Sequence, residues 1–102
     1  MNLKVKRLKG IREKTFGLIT ADEAYPVLFN TRFGIHTFFM KFPIDVLVLD
    51  KENKVLTIKE NLSRNRIFAW NPKYDTVIEL PAGFIKRNKI EKRMTINLSW
   101  IS

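Results

Sequence analysis

One segment constrains the fold of this chain more than any other. Residues 44–49 read Ile-Asp-Val-Leu-Val-Leu, an almost unbroken run of aliphatic and β-branched side chains. Such a run is typical of a β-strand covered on both faces, because a strand with one solvent-exposed face alternates apolar and polar residues. The polar segment 50–54 and the segment 55–60 follow it, a pattern that predicts a β-hairpin. We therefore expect a strand inside a sheet whose two faces are both covered.

Alternation of apolar and polar residues predicts further strands. Leu3 and Val5 alternate with lysines, as expected for a half-exposed first strand. Other segments with strand character are 25–30, 36–42, 67–70, 76–80 and 94–100. Two short helices are predicted, one over 12–19 and one from Pro81 to about residue 88, because proline suits the first turn of a helix. Residues 1–102 are thus expected to form a single compact domain, mainly β with two short helices, as an antiparallel sandwich or partly open barrel.

The composition excludes several classes of functional site. The 102 residues include no cysteine and one histidine, which excludes disulfides, thiolate zinc sites, iron–sulfur clusters and motifs that need two histidines. Glycine-rich phosphate loops and the nucleophile motif of serine hydrolases are also absent. No apolar run is long enough to span a membrane, and the polar start lacks a secretion signal. We expect a cytoplasmic protein without a cofactor.

The positive charge is concentrated at the two ends of the sequence. Nineteen Lys and Arg residues against ten Asp and Glu residues give a net charge of +9. Residues 1–16 carry +5, residues 84–102 carry +4, and the segment between them is neutral. If the terminal segments lie side by side, they form one positive face that would attract a phosphate-rich partner. In the alternative interpretation, the basic residues only keep a small protein soluble.

A carboxylate inside the aliphatic run is the first candidate for chemistry. Asp45 stands among apolar neighbours, where an ionised group is costly unless it is paired, and Lys41 shares its strand face if the segment stays extended. Asp45 is either the acid or base of an active site, or a structural group that forms an ion pair or accepts hydrogen bonds from loop N–H groups. We favour the structural role. His36, upstream among aromatic residues, is either a hydrogen-bonded wall residue or a metal ligand, and it is a candidate acid or base if the protein is an enzyme.

The second candidate is the segment 64–74, in which basic and aromatic side chains are interleaved. Exposed aromatic rings beside cations can stack on bases or hold an anionic ligand. Alternatively, the rings belong to the core and the cations are solvated at its rim. The predicted ligand-binding residues are Arg64, Arg66, Trp70, Lys73 and Tyr74.

Glu79 is the third candidate, within the strand predicted at 76–80. It is either the acid of a pocket or a residue of a solvent-exposed face. Together with Asp45 and Glu60 it would form a metal site only if the strands bring the three carboxylates together. The sequence by itself assigns no metal site.

Two blocks of the sequence resemble a known family. Residues 34–50 contain an aromatic–Met–basic run, then Pro, an aliphatic residue and Asp, then an aliphatic strand that ends in Asp. Residues 76–83 read Thr-Val-Ile-Glu-Leu-Pro-Ala-Gly. In this order and at this spacing, the two blocks resemble the hallmarks of the domain-of-unknown-function family 192, with the resemblance covering roughly residues 12–98.

The resemblance implies a compact β-dominated domain with short helices, and it implies no established activity. The residues that it places as candidates for a shared site are His36, Lys41, Asp45, Glu79 and Gly83. Gly83 also suits a tight junction between a strand and a helix. The chain departs from the family where relatives usually have a Gly-Asp turn, here residues 89–93, and where some relatives have Cys, here residues 32–34. Roles that depend on either feature do not transfer to this chain.

Three functions from different classes remain open. The first is a non-enzymatic binding module whose basic surface recognises an anionic partner such as nucleic acid, and this is the interpretation that we favour. The second is a small hydrolase or isomerase that uses a cleft around Asp45, Lys41, His36 and Glu79. The third is an accessory protein that docks a larger partner through an exposed strand edge or apolar patch.

Overall fold

Strands dominate the part of the chain that the structure describes. The computed structural model describes residues 1–7, 26–32, 34–36, 42–63 and 66–101. Their elements are, in chain order, β1 (Asn2–Arg7), β2 (Val27–Asn30), β3 (Ile35–His36), β4 (Ile44–Leu49), β5 (Val55–Leu62), β6 (Ile67–Phe68), β7 (Thr76–Pro81), α1 (Phe84–Arg87) and β8 (Asn97–Trp100). The mainly β character predicted from the sequence is confirmed.

Six strands form one sheet, in the order β5-β4-β7-β2-β1-β8, and β3 pairs with β6 in a separate two-stranded ribbon. Strand β4 lies between β5 and β7 and pairs antiparallel with both. All six of its residues are buried, so the aliphatic run 44–49 does form a strand covered on both faces. The predicted hairpin with the following segment is also confirmed.

The predicted antiparallel sandwich or partly open barrel is not confirmed. The described sheet is not closed, since β5 and β8 each have a neighbour strand on one side. Strand β1 pairs parallel with both β2 and β8, so the sheet is antiparallel in one part and parallel in the other. Parallel neighbours cannot be joined by a tight turn and need a long connection. The long segment between residue 7 and residue 26 is the signal in the sequence that indicates this arrangement.

The two faces of the sheet carry separate hydrophobic clusters. The first, which we call the helix-side cluster, includes Ile85 of α1 and consists of Leu3, Val5, Leu28, Leu47, Leu49, Val55, Ile78, Leu80, Ile85, Ile90 and Ile96. The second, the ribbon-side cluster, consists of Val27, Phe29, Ile44, Val46, Leu62 and Val77. Ile35 of β3 and Phe68 of β6 pack against this second cluster, so the ribbon covers the opposite face from α1. Each residue of these clusters can therefore be assigned to one face of the sheet.

The helix near the second sequence block starts later than predicted. Pro81 is the last residue of β7, where it pairs with Ile44, and α1 begins at Phe84. Between them Gly83 adopts a left-handed conformation with φ of 89°, which turns the chain sharply out of the strand. The glycine, and not the proline, thus defines the start of the helix. The other predicted helix, over 12–19, lies outside the described residues.

The basic terminal segments meet, and four of their described cations lie on two different sides of the sheet. Strands β1 and β8 are neighbours, so the two ends of the sequence do lie side by side. Lys4 and Lys6 alternate with the buried Leu3 and Val5 and therefore project to the ribbon side. Lys86 and Arg87 belong to α1 on the helix side. These four cations are therefore on two sides of the sheet, and a single positive face built by the terminal segments stays a prediction.

Candidate functional site

Two buried acids lie on neighbouring strands but on opposite faces of the sheet. Asp45 of β4 is opposite Leu80, and Val46 is opposite Glu79 of β7. Val46 belongs to the ribbon-side cluster and Leu80 to the helix-side cluster. Asp45 thus faces α1, whereas Glu79 faces the ribbon. The two carboxyl groups cannot act on the same bound molecule.

Asp45 uses both carboxylate oxygens to hold backbone groups. Its Oδ1 accepts a hydrogen bond from the N–H of Asn61 at 2.8 Å, and its Oδ2 accepts one from the N–H of Ile85 at 3.0 Å. Asn61 has a φ of 52° and lies where the pairing of β4 with β5 shifts register, so its N–H is not used by a regular ladder. Asp45 therefore ties the β-bulge of β5 to the start of α1. This geometry is the structural role considered for an acid among apolar residues.

Glu79 differs from Asp45 in the hydrogen bonds of its carboxyl group. The side chain is 3% exposed, and its Oε1 has no hydrogen-bond partner in the described parts of the chain. Burial raises the pKa of Glu79 from 4.5 to about 8, because desolvation disfavours the charged form. The carboxyl is therefore mostly protonated at neutral pH. Of the two roles predicted for Glu79, the solvent-exposed one is wrong.

The other two residues considered for a catalytic cleft are His36 and Lys41. His36 lies in β3 of the ribbon, opposite Ile67 of β6, and Lys41 lies outside the described residues. Because Asp45 and Glu79 face opposite sides, a cleft that contains all four residues is not formed. The same separation prevents the carboxylate metal site that Asp45, Glu60 and Glu79 would make. Within the described residues, no three acidic, His or Cys side chains come together in an arrangement suited to a metal.

A pocket on the ribbon side of the sheet carries the clearest ligand-binding chemistry. Its volume is about 260 Å³, and its described lining residues are Lys59, Asn61, Leu62, Ser63, Arg66, Ile67 and Phe68. The set includes two cations, an amide and a hydroxyl, and it includes no carboxylate. Ile67 is 73% exposed, which is unusual for a large apolar side chain. It gives the pocket an exposed apolar surface in addition to the cations. We call this site the basic pocket.

A second pocket has a balanced charge. It has a volume of about 320 Å³, and its described lining consists of three cations (Arg32, Lys51, Lys73), three carboxylates (Asp50, Glu52, Asp75), Leu49 and Tyr74. Arg32 and Asp75 already form an ion pair at 3.8 Å. Asp50 accepts hydrogen bonds from the backbone N–H groups of Glu52 and Lys54. This mixed-charge pocket has no net attraction for an anion.

The structure divides the predicted ligand-binding segment 64–74 between these places. Arg66 lines the basic pocket, whereas Lys73 and Tyr74 line the mixed-charge pocket. Trp70 packs against the ribbon-side cluster, and its Nε1 donates a hydrogen bond to the carbonyl of Tyr74 at 2.8 Å. Its ring lies 5.6 Å from that of Phe68. Trp70 therefore has a packing role, and Arg64 lies outside the described residues.

Three polar residues of the basic pocket were not among the predicted site residues. Lys59 and Asn61 are on β5, and Ser63 follows this strand. The alternation of β5 places Lys59 on the ribbon face, but the bulge at Asn61 changes the phase of the strand. Since a bulge cannot be read from alternation, the sequence does not indicate that β5 and the residues before β6 line one pocket.

The arrangement was compared with known proteins. A search of the curated proteins found no match to the chain. A structure of a candidate transcription regulator from Sinorhizobium meliloti 1021 is similar at 19% identity and a TM-score of 0.70, covering 87% of this chain and 76% of that one. A protein of unknown function from Novosphingobium aromaticivorans is similar at 16% identity and a TM-score of 0.70, covering 87% and 69% of the two chains. At these identities the likeness concerns the fold alone.

The family comparison agrees with the two sequence blocks described above. No helix in the described segments is both long and apolar enough to cross a membrane. The sequence model of the domain-of-unknown-function family 192, described as "Uncharacterized ACR", matches residues 4–98. That match includes both blocks and nearly the whole sheet. This chain therefore belongs to the domain-of-unknown-function family 192.

Proposed function

We propose that this protein is a binding module for a phosphate-bearing ligand, which it holds in the basic pocket between β5 and β6. The observation that carries the proposal is the charge of the lining: Lys59 and Arg66 are present without a carboxylate among the described lining residues. Two cations at one pocket attract an anion more than scattered surface charges do, because their fields add at the same place.

The polar and apolar parts of the pocket fit different parts of such a ligand. Asn61 and Ser63 place an amide and a hydroxyl among the residues that line the pocket with the cations, and such groups commonly contact phosphate oxygens. Ile67 and Phe68 offer an apolar wall on the same pocket, suited to the flat face of a base. The combination favours a nucleotide unit of a single strand over an inorganic anion alone.

The mixed-charge pocket differs from the basic pocket in the net charge of its lining residues. Its three carboxylates neutralise its three cations, so an anion entering it would meet no net attraction. Cation content alone therefore does not define the proposed site. The description of one structural neighbour as a candidate regulator fits a nucleic-acid ligand, although the likeness to that neighbour is one of fold.

The proposal is tested by the binding of a rhodamine-labelled single-stranded oligodeoxyadenylate, measured by fluorescence anisotropy over a range of salt concentrations. Lys59→Gln and Arg66→Gln should each weaken binding about tenfold and reduce the slope of log affinity against log salt by about 0.7. The matched controls are Lys51→Gln and Lys73→Gln, which remove the same charge from the mixed-charge pocket and should change affinity less than threefold.

Two results would overturn this function. One is the absence of binding even at low salt. The other is an equal loss of affinity in all four variants, which would mean that only the net charge of the protein attracts the probe. Competition with unlabelled pyrophosphate distinguishes recognition of the nucleotide chain from recognition of phosphate alone.

The docking function from the sequence remains a prediction. Strand β8 is at one edge of the described sheet, and Trp100 is 47% exposed with Arg7 stacked over its ring at 5.0 Å.

A further inference from the structure

We propose that the basic pocket binds its anion together with a proton, and that Glu79 is the group that carries this proton. The proposal rests on the anion-binding function above and adds its regulation. It follows from the position of Glu79 relative to the pocket, from the part of the ribbon that they share, and from the charges around them.

Glu79 and the basic pocket are on the same face of the sheet. Lys59 is opposite Val46, and Val46 is opposite Glu79, so the three residues form one row across β5, β4 and β7. Two strand spacings separate Lys59 from Glu79, or roughly 10 Å between their Cα atoms. At that distance, with the buried Val46 between the two residues, a charge on Glu79 would change the electrostatic potential in the pocket.

The ribbon packs on the same face of the sheet as Glu79 and also forms a wall of the pocket. Phe68 of β6 lines the basic pocket and packs against the ribbon-side cluster. That cluster contains Val46 and Val27, the two residues directly opposite Glu79. Moving β6 away from the sheet would therefore loosen the packing on the face where Glu79 lies and deform the pocket at the same time.

Loss of the proton from Glu79 should weaken anion binding in the basic pocket. A neutral Glu79 tolerates the dry contact between ribbon and sheet, whereas an ionised Glu79 favours water and hence a displaced ribbon. The ionised carboxylate also repels an anion in the pocket. Both effects weaken anion binding when the proton leaves. By reciprocity, a bound anion must increase the affinity of Glu79 for its proton.

The surrounding charges allow Glu79 to be distinguished from other titrating groups. The flanking strands β2 and β4 present apolar residues to this face, and the next cations along the sheet are Lys59 on β5 and Lys4 and Lys6 on β1. From the ribbon, Arg66 precedes β6 and His36 is in β3. Lysine and arginine side chains ordinarily stay charged to about pH 9, and a histidine ordinarily titrates near pH 6.5.

The experiment measures affinity for the labelled oligodeoxyadenylate between about pH 7 and about pH 9, a range in which phosphodiesters keep their charge. Because burial raises the pKa of Glu79 to about 8, its carboxyl changes from mostly protonated to mostly ionised across this range. The native protein should lose affinity about fivefold. Glu79→Gln, which stays neutral, should bind as tightly as the native protein at about pH 7 and change less than twofold by about pH 9.

Calorimetry on the native protein provides a measurement that does not depend on the variant folding. Titration at about pH 8 in two buffers with different heats of ionisation should show net uptake of a fraction of a proton on binding. Tight binding without proton uptake would overturn the inference and leave the anion-binding function intact. An equal decline of affinity in Glu79→Gln would also overturn it. Absence of binding at about pH 7 would overturn the anion-binding function itself and the inference with it.

Discussion

The two faces of the central sheet each bury one acid, and the two carboxyl groups differ in their hydrogen bonds. On the helix side, both oxygens of Asp45 accept backbone N–H groups. On the ribbon side, Oε1 of Glu79 has no partner among the described residues. The first acid satisfies donors that would otherwise be unpaired, and the second retains a proton instead. Burial alone therefore does not distinguish a structural acid from a proton-binding one, but the donors around it do.

The largest expected difference between the two acids is in how the ionisation of Glu79 makes the stability of the protein depend on pH. Glu79 has a pKa of about 8 when folded and 4.5 as its ordinary value, so the folded state binds the extra proton between these values. Stability should therefore fall as pH rises from about 4.5 to about 8, by up to about 5 kcal/mol in total. Glu79→Gln should remove this decline and match the native protein at about pH 4. Urea unfolding at a series of pH values measures both.

If the native protein and Glu79→Gln show the same pH profile, Glu79 titrates normally. The comparison between the two faces would then fail on the ribbon side.

The second effect concerns Asp45. Asp45→Asn keeps one acceptor oxygen but turns an NH₂ group towards a second backbone donor, so one N–H is left unsatisfied. We expect a loss of about 3 kcal/mol in the free energy of unfolding, measured at about pH 6. Its matched control is Glu79→Gln, the same chemical change on the other face, which should not destabilise the protein. Equal losses in the two variants would contradict the assigned roles.

The smallest expected effect is the difference in stability loss between two glycine substitutions, one at Gly34 next to β3 of the ribbon and one at Gly83 before α1. A Cβ added at Gly34 would lie 2.6 Å from the backbone oxygen of Phe68, and φ there is +129°. A Cβ at Gly83 would meet Nη1 of Arg87 at 2.8 Å, the flexible end of a side chain, at a φ of +89°. Gly34→Ala should cost about 2 kcal/mol or more, and Gly83→Ala about 1 kcal/mol.

Thermal unfolding of the two glycine variants gives the order of these losses. Gly34→Ala should also weaken oligonucleotide binding, because it pushes β6 away from β3 at the wall of the basic pocket. A larger loss in Gly83→Ala would mean that the ribbon adapts more easily than the junction before α1.

Much of the antiparallel part of the sheet could be predicted from the sequence, because local side-chain patterns determine it. The run 44–49 indicates a strand covered on both faces, and the polar segment after it indicates the hairpin. The parallel pairing of β1 with β8 joins residues from opposite ends of the sequence. No local pattern records such a contact, so the predicted sandwich or barrel was not confirmed.

The candidate site was predicted less completely. The chemistry of Asp45 follows from the cost of an acid among apolar residues, which is a local argument. That Glu79 faces the other side depends on the register between β4 and β7. That Lys59 and Arg66 line one pocket depends on how a bulged strand and the ribbon meet in space. Strand register and bulges are set by tertiary contacts, so alternation in one strand cannot supply them.

The pairing of β1 with β8 also has a consequence for biosynthesis. The ribosome makes β1 long before β8, and nearly the whole sequence lies between the two partners. Throughout translation of that interval, the outer backbone edge of β1 has no β8 to pair with. An open edge of this kind invites pairing with another nascent chain. Emergence of β8 from the ribosome is thus the event that removes this hazard, and nascent polypeptides stalled before β8 should be the ones most prone to aggregate.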